Sequence, residues 1–304
     1  MTYSPIIIFA FNRLDVLKRT VTSLLQNKEA SDSELYVFVD GARKCIEGEE
    51  EKVRSVQNFV KSISGFKSIH YTFSDINKGL ANSIISGVTE IFKLYDRVIV
   101  VEDDLFVSRS FLHFMNTMLN KYEQDERIMQ VSGYGCKLTR IGNYPYDAYI
   151  NERAHSWSWG TWKDRWSTVD WEVSDYKELS ASKLLQKEFN KRGSDLFGML
   201  RGYMEKRNNS WYIRFNYSMY KQKRYCIMPI KSLVRNDGFG DDATNCKSYN
   251  RYKVDFEMEH NGEFNVPECF EPCERIIANS VRYWQLTYRI YGKIKTVLTN
   301  IFYK

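Results

Sequence analysis

The chain has 304 residues, 43% hydrophobic and 27% charged, with a formal net charge of +6. That balance describes a folded globular protein with a sizeable core, built as one large α/β domain or two small ones, and excludes a disordered chain. Six cysteines without a CxxC pair and only four histidines exclude the usual zinc spacings and fit a reduced, cytosolic compartment.

The charge excess lies in residues 275–304, which carry six basic residues and no acidic one. The remainder is close to neutral, which argues against a nucleic-acid binder with a basic face. The opening apolar run, residues 5–11, is too short for a signal-peptide core, and no stretch approaches the roughly 20 apolar residues that span a bilayer. Aromatic residues make up 15% of the chain, enough to line a surface that grips ring-shaped ligands as well as to fill a core.

From the N-terminus, residues 6–10 read as a strand buried on both faces, followed by a helix over 15–26 with Val16, Leu17, Val21, Leu24 and Leu25 at helical spacing. A strand at 35–39 precedes a charged helix at 47–63. A strand at 69–73 precedes a helix at 80–94, and a strand at 98–101 precedes a helix at 110–122 and a strand at 128–131. This alternation predicts a parallel sheet with right-handed crossovers. Past residue 132 it fails, and Trp157, Trp159, Trp162, Trp166 and Trp171 fall within fifteen residues. We read 132–274 as the second half of one domain spanning 1–274, carrying a substrate-facing surface, with 1–131 as its first half.

Ligands of such sheets bind beyond the carboxyl ends of the strands. Those ends here are Asn12 and Arg13, Asp40 and Gly41, Asp75 with Asn77, Lys78 and Gly79, and Glu102-Asp103-Asp104. Adjacent carboxylates after a buried strand repel one another and persist where a cation or hydrogen-bond donors compensate them. Hard oxygen ligands suit Mg²⁺ or Mn²⁺, whose shells are completed by phosphate oxygens. Neither GxxxxGK[ST] nor a GxGxxG after the first strand is present, so a metal-bridged diphosphate points to a nucleotide-sugar donor.

Taken in order, PIIIFAFNR, VFVDGAR, NKGLANSIISGV, VIVVEDDL, SWSWGTWKDRW and the stretch 211–244 resemble the inverting glycosyltransferases of the GT-A fold, nearest to the N-acetylglucosaminyltransferase I type and its bacterial relatives. The resemblance implies a mixed α/β sheet flanked by helices and makes the acidic triplet the DxD motif. Asp104 is then the metal position, with Asp103 near the donor ribose and Glu102 beside it. It further implies that Asp40 meets the uracil edge, that Arg13 packs by the base, and that Asn77, Lys78 and Gly79 border the donor pocket. Trp157 and Trp159, near a tight turn at Gly160, fall on the acceptor side, whereas Trp162 and Trp166 read as core.

The family places a catalytic acid just after a Trp on a late helix, but the matching segment here is Trp211-Tyr212-Ile213. Asp241 and Asp242, in a Gly-rich loop beginning at Asp237, are therefore the candidate bases, with Glu152 and His155 behind them. The expected activity is metal-dependent, inverting transfer of a hexosyl or N-acetylhexosaminyl group from a UDP-sugar to a glycan or lipid-linked saccharide in surface polysaccharide synthesis. The alternative is a non-catalytic nucleotide-sugar or glycan-binding protein of the same fold. Residues 275–304 interleave basic and aromatic positions in a pattern compatible with an amphipathic helix. We expect it to lie on an anionic membrane surface and hold the protein peripherally at the cytoplasmic face.

Overall fold

The computed structural model describes residues 3–139, 141–236 and 254–302. Its first half follows the alternation: β1 (Ile6–Ala10), α1 (Leu14–Leu25), β2 (Glu34–Val39), α2 (Glu49–Ser62), β3 (Ser68–Phe73), α3 (Leu80–Ile91) and β4 (Arg97–Glu102). The predicted helix at 47–63 starts two residues late because Gly48 takes a left-handed conformation, φ 72°, which breaks the helical run before Glu49. A short strand, β5 (Leu105–Val107), then precedes α4 (Phe111–Lys121) and β6 (Ile128–Ser132).

The second half, where the alternation fails, intersperses short strands with five helices among the described residues. It contains β7 (Ala148–Asn151), β8 (Trp159–Trp162), α5 (Lys163–Ser167), α6 (Tyr176–Ala181), α7 (Lys183–Asn190), α8 (Leu196–Met204) and α9 (Trp211–Lys221), then β9 (Tyr225–Pro229) and β10 (Val234–Asn236). Two C-terminal helices follow, α10 (Glu274–Val281) and α11 (Leu286–Phe302), joined by a 3-10 turn at Arg282–Trp284.

Eight strands form one sheet in the order β3-β2-β1-β4-β8-β6-β9-β7. β3, β2, β1 and β4 are mutually parallel, β8 runs antiparallel to both β4 and β6, and β7 is antiparallel to β9. The sheet is therefore mixed, and the expectation of parallel strands holds for its first four. β5 and β10 pair antiparallel in a separate ribbon, with Leu105 opposite Asn236.

Side chains alternate across β1, as period 2 requires. Ile6, Ile8 and Ala10 join a core with α1, α2 and α4, while Ile7 and Phe9 face a second core with α3, α9 and the indoles of Trp159 and Trp166. A satellite cluster under α6, α7 and α8 includes Phe189, Leu196 and Ile213.

Gly160 does not make a turn. It sits in β8 between β4 and β6, where a Cβ would come within 2.9 Å of the Val98 carbonyl and of the Leu119 side chain. The bend before it belongs to Ser158, a non-glycine residue at φ 54°.

A boundary at 274/275 falls inside α10. Ile276, Ile277, Val281, Tyr283 and Trp284 are buried; Ile276, Tyr283 and Trp284 belong to the second core, and Tyr288 of α11 is packed against it. Hydrophobic burial, not charge, decides where the first part of the basic tail goes.

Candidate active site

β1 and β4 lie side by side in register, Ile6 opposite Ile99 and Phe9 opposite Glu102. The chain leaves β1 toward β2 on one side and reaches β4 on the other, so the crevice beyond their carboxyl ends is the topological switch point of the parallel half. Arg13 follows β1, and Glu102, Asp103 and Asp104 end β4. The Arg13 guanidinium donates through Nη2 to Asp104 Oδ2 at 3.1 Å and, in a short contact, to Asp103 Oδ1. Thr20 of α1 donates to the Asp103 carbonyl at 2.8 Å and fixes that residue against the helix.

Burial pushes the Asp103 carboxyl up to about 6 despite the opposing charge of Arg13. Glu102 is driven well above the ordinary carboxylate range by desolvation, with the charges of Asp104 and Asp103 adding to it. In the structure Arg13 is the cation that compensates the strand-end acids. It was expected beside a nucleobase, and its observed partners are the two aspartates.

Asp40 ends β2 and is turned to the backbone. Its Oδ1 accepts from the amides of Gly41 at 3.1 Å and Lys78 at 2.8 Å, and its Oδ2 accepts from Gly79 at 2.9 Å. Asn77 closes the same knot by donating to the Gly41 carbonyl at 2.8 Å. Glycine is required at 41 because a Cβ there would lie 2.6 Å from the Ile76 backbone. Gly79, at φ 74°, supplies the left-handed residue that turns the loop into α3. Four of the residues read from sequence as donor-binding, Asp40, Asn77, Lys78 and Gly79, thus form one braced loop, in which Asp40 acts as the brace.

Next to the acids opens a cavity of about 500 Å³, within the roughly 300–1,000 Å³ of small-molecule sites. Glu102, Leu80 and Ala81 line one side, and Tyr134, His155, Trp157, Trp211, Tyr212 and Trp284 supply aromatic walls. Trp157, expected on the acceptor side, lines this cavity. Trp159 is fully buried, its ring stacked on Trp166 at 5.6 Å and against Trp211 at 4.8 Å between centroids, so it backs the wall and cannot face a sugar. Trp162 and Trp166 are core, as expected.

At the far wall Arg153 is fully buried. It donates to Asp195 through both terminal nitrogens, at 2.9 and 3.0 Å, and to the Tyr212 hydroxyl at 2.9 Å, and it stacks on Trp284. Glu152 accepts from Arg192 at 2.8 Å and does not line the cavity. Asp241 and Asp242 lie outside the described residues; the nearest described residue before that loop, Asn236, pairs opposite Leu105 and donates weakly to Asp104 at 3.4 Å.

Arg153, Asp195, Tyr134 and Trp284 were missed in the sequence. The one available signal was a set of polar residues, Arg153, Asp195 and Asn209, embedded among aromatics. Nothing in linear order tied residues 195 and 284 to the end of β4.

A family model described as Glycosyl transferase family 2 matches residues 6–178. The chain belongs to glycosyl transferase family 2. The matched part of this family 2 chain runs from β1 into α6 and contains the whole acidic site, whereas Asp195, Trp211, Tyr212 and Trp284 lie beyond it. With the mixed sheet, the flanking helices and the C-terminal helix, its fold is GT-A.

No curated protein significantly matches the chain. Among solved structures, S. aureus TarS 1-349 is similar over 77% of this chain and 60% of that one, at 9% identity and a TM-score of 0.42. A second S. aureus TarS structure is similar over 46% of this chain and 22% of that one, at 12% identity and a TM-score of 0.30. The chain thus spans 60% and 22% of the two solved chains.

Proposed function

We propose that this protein transfers a neutral hexosyl or N-acetylhexosaminyl group from a UDP-sugar, with inversion, to a saccharide or lipid-linked saccharide in surface polysaccharide synthesis. The observation that carries the reading is the opening of the acidic end of β4, through Glu102, directly into an aromatic-walled cavity. The likeness of its motifs to the N-acetylglucosaminyltransferase I type supports the choice of donor.

Asp103 and Asp104 each direct one carboxylate oxygen to a single cationic nitrogen of Arg13. Two hard oxygens around one cation suit Mn²⁺ or Mg²⁺, which bind through one or two carboxylates plus substrate phosphates. Among the described residues no group of three ligating side chains is placed to hold a metal ion, so diphosphate and water would complete the shell. The bound ion would supply charge neutralisation to the departing diphosphate.

The protein's own residues do the rest. Asp40 and Asn77 hold the loop at Lys78 and Gly79 as the donor wall, Trp157 and Trp211 exclude water and offer flat faces to the C–H side of a sugar ring, and Arg13 meets the anionic end of the donor. Asp241 and Asp242 are the proposed acceptors of the acceptor hydroxyl's proton. Calorimetry with UDP, with and without Mn²⁺, tests the assignment, and Asp104→Asn should abolish the metal-dependent part while leaving circular dichroism unchanged. UDP binding indifferent to Mn²⁺ would sink it. The absence of an acid after Trp211, with the Tyr212 hydroxyl accepting from Arg153, keeps a sugar-binding protein without turnover as the second reading. A transfer assay with donor and acceptor panels separates the two.

We further propose that α11 rests on an anionic lipid surface at the cytoplasmic face. The helix is inside out: Tyr288, Arg289, Gly292 and Thr296 face the protein, while Leu286, Ile290, Ile294 and Val297 form an exposed stripe. Lys293 and Lys295 flank that stripe without any acid on the helix, the complement of an anionic interface. No helix among the described residues is long and apolar enough to cross a membrane.

A further inference from the structure

We propose that the open edge of the sheet at β3 pairs antiparallel with the β3 of a second copy of this chain, with Tyr71 opposite the partner's Tyr71 on a twofold axis. The proposal lies outside the cavity and does not depend on the transferase reading. The two ends of the sheet are β3 and β7, and they are finished differently. β7 is buried at all four residues, and Asp147 just before it exchanges hydrogen bonds with Asn265 at 2.8 and 2.7 Å. β3 pairs with β2 along all six residues without a register shift, and no described strand lies on its other side. His70, Tyr71 and Thr72 are exposed there, and none of the six residues is buried. Alternate residues of such a strand turn their N–H and C=O groups outward, as a template for another strand. Edges of this kind are usually blunted by charge, proline or a bulge. The strand Ser68-Ile69-His70-Tyr71-Thr72-Phe73 has no Asp, Glu, Lys, Arg or Pro and no bulge.

The partner is a second copy because the strand is its own complement. Ile69, Tyr71 and Phe73 share one face. Ile69 and Phe73 are partly buried against the first core, and Tyr71, 49% exposed, stacks on Phe73 at 4.9 Å between centroids. Opposite residues of an antiparallel pair lie on the same face of the sheet. Under a twofold axis perpendicular to the sheet, each residue therefore meets itself or one an even number of positions away. Centred on Tyr71, Ile69 stands opposite the partner's Phe73 on both sides of a Tyr71 pair, and such aromatic and β-branched pairs stabilise sheets. His70 meets the partner's Thr72 on the other face. Further out, Ser68 meets the partner's Ser74, and Lys67 meets the partner's Asp75. Lys67, which also holds Glu34 at 3.2 Å, and Asp75 are both exposed, and the symmetry makes this pairing of opposite charges twice. A centre at His70 would set Lys67 against the partner's Phe73, and one at Thr72 would set Ile69 against the partner's Asp75. Of the three registers, the one at Tyr71 sets apolar side chains against apolar ones and a cation against an anion.

Sedimentation velocity of the full-length protein at low ionic strength, from about 1 to about 200 μM, tests the pairing, since small interfaces dissociate in the micromolar range. The parent should pass from monomer to dimer across that range. Tyr71→Lys sets two ammonium groups against each other on the axis and should weaken the dimer about tenfold or more, with circular dichroism unchanged. Asp75→Lys leaves Lys67 facing a lysine and should weaken the dimer about threefold. Lys67→Asp combined with Asp75→Lys should restore it, a recovery that damage to either copy's own fold would not produce. A parent that stays monomeric throughout the range would overturn the proposal. So would a dimer indifferent to Tyr71→Lys, as one held together through α11 would be, or a charge exchange that fails to restore association. Should Tyr71→Lys not fold, the charge exchange at two exposed positions decides by itself.

Discussion

At Asp40 three backbone amides converge on two carboxylate oxygens, and replacing one oxygen by an amide nitrogen sets a donor against a donor. Asp40→Asn should cost about 1–3 kcal/mol, lower the melting temperature by a few degrees, and weaken UDP binding because the loop at 77–79 loses its brace. Differential scanning calorimetry and UDP titration check the two effects separately, and a variant with parent-like values in both would remove Asp40 from this role. Gly41→Ala should act in the same direction through the Ile76 backbone, 2.6 Å from the added methyl. The same residue shows what sequence reading can reach. That an acid and a glycine after a buried strand matter was legible from their place at a strand end. Whether Asp40 faces a ligand or three amides was not, since two of its three partners are 38 and 39 residues away in the chain.

The elements at the C-terminus differ in how much they bury, α11 docking chiefly through Tyr288 and Arg289. α10 and the turn after it bury Ile276, Ile277, Tyr283 and Trp284, whereas α11 shows its apolar stripe to the outside. A chain ending at Gln285 should fold, keep UDP affinity and lose only the few degrees of thermal stability that Tyr288 and Arg289 contribute, yet lose binding to anionic vesicles. A chain ending at Glu274 should fail to fold, since each large buried side chain removed costs about 3–5 kcal/mol. Vesicle sedimentation at low and high salt reads the first expectation, and undiminished sedimentation of the 1–285 chain would contradict it. The helical periodicity of this tail was legible, but its division was not, because the alternation of apolar and basic residues is similar on both sides of Trp284. In the first half the strands fell within a residue or so of their predicted positions because continuous apolar runs such as Ile6–Ala10 admit few alternatives. Beyond residue 132 the strands β7, β8 and β9 are four or five residues long and pair across long separations, which leaves no local period to find.

For the molecule as a whole, acid and stability are linked through groups of opposite sign. His155 is held below its ordinary value of about 6.5, so between that pH and its folded value the unfolded chain binds a proton that the native one does not, and stability falls as pH falls. Asp195, which burial alone would raise, is held low by the charge and hydrogen bonds of Arg153; its contribution is full above about pH 4 and lost below. Glu102 and Asp103, raised by burial, act the other way and gain from acidification. Urea midpoints of the parent and His155→Gln from pH 7.5 to 4.5 isolate one term: the parent's stability should drop relative to the variant by up to about 1.4 kcal/mol per pH unit below 6.5. Parallel curves would place His155 in a more open setting than its 5% exposure implies. The indole of Trp159 lies 5.6 Å from that of Trp166 and 4.8 Å from that of Trp211 between centroids, and Trp211 also walls the cavity. Chromophores that close share their excited states, so the protein carries its own optical probe: a ring settling on Trp211 perturbs the whole stack, and the near-ultraviolet dichroism of the unlabelled protein should register occupancy of the cavity directly.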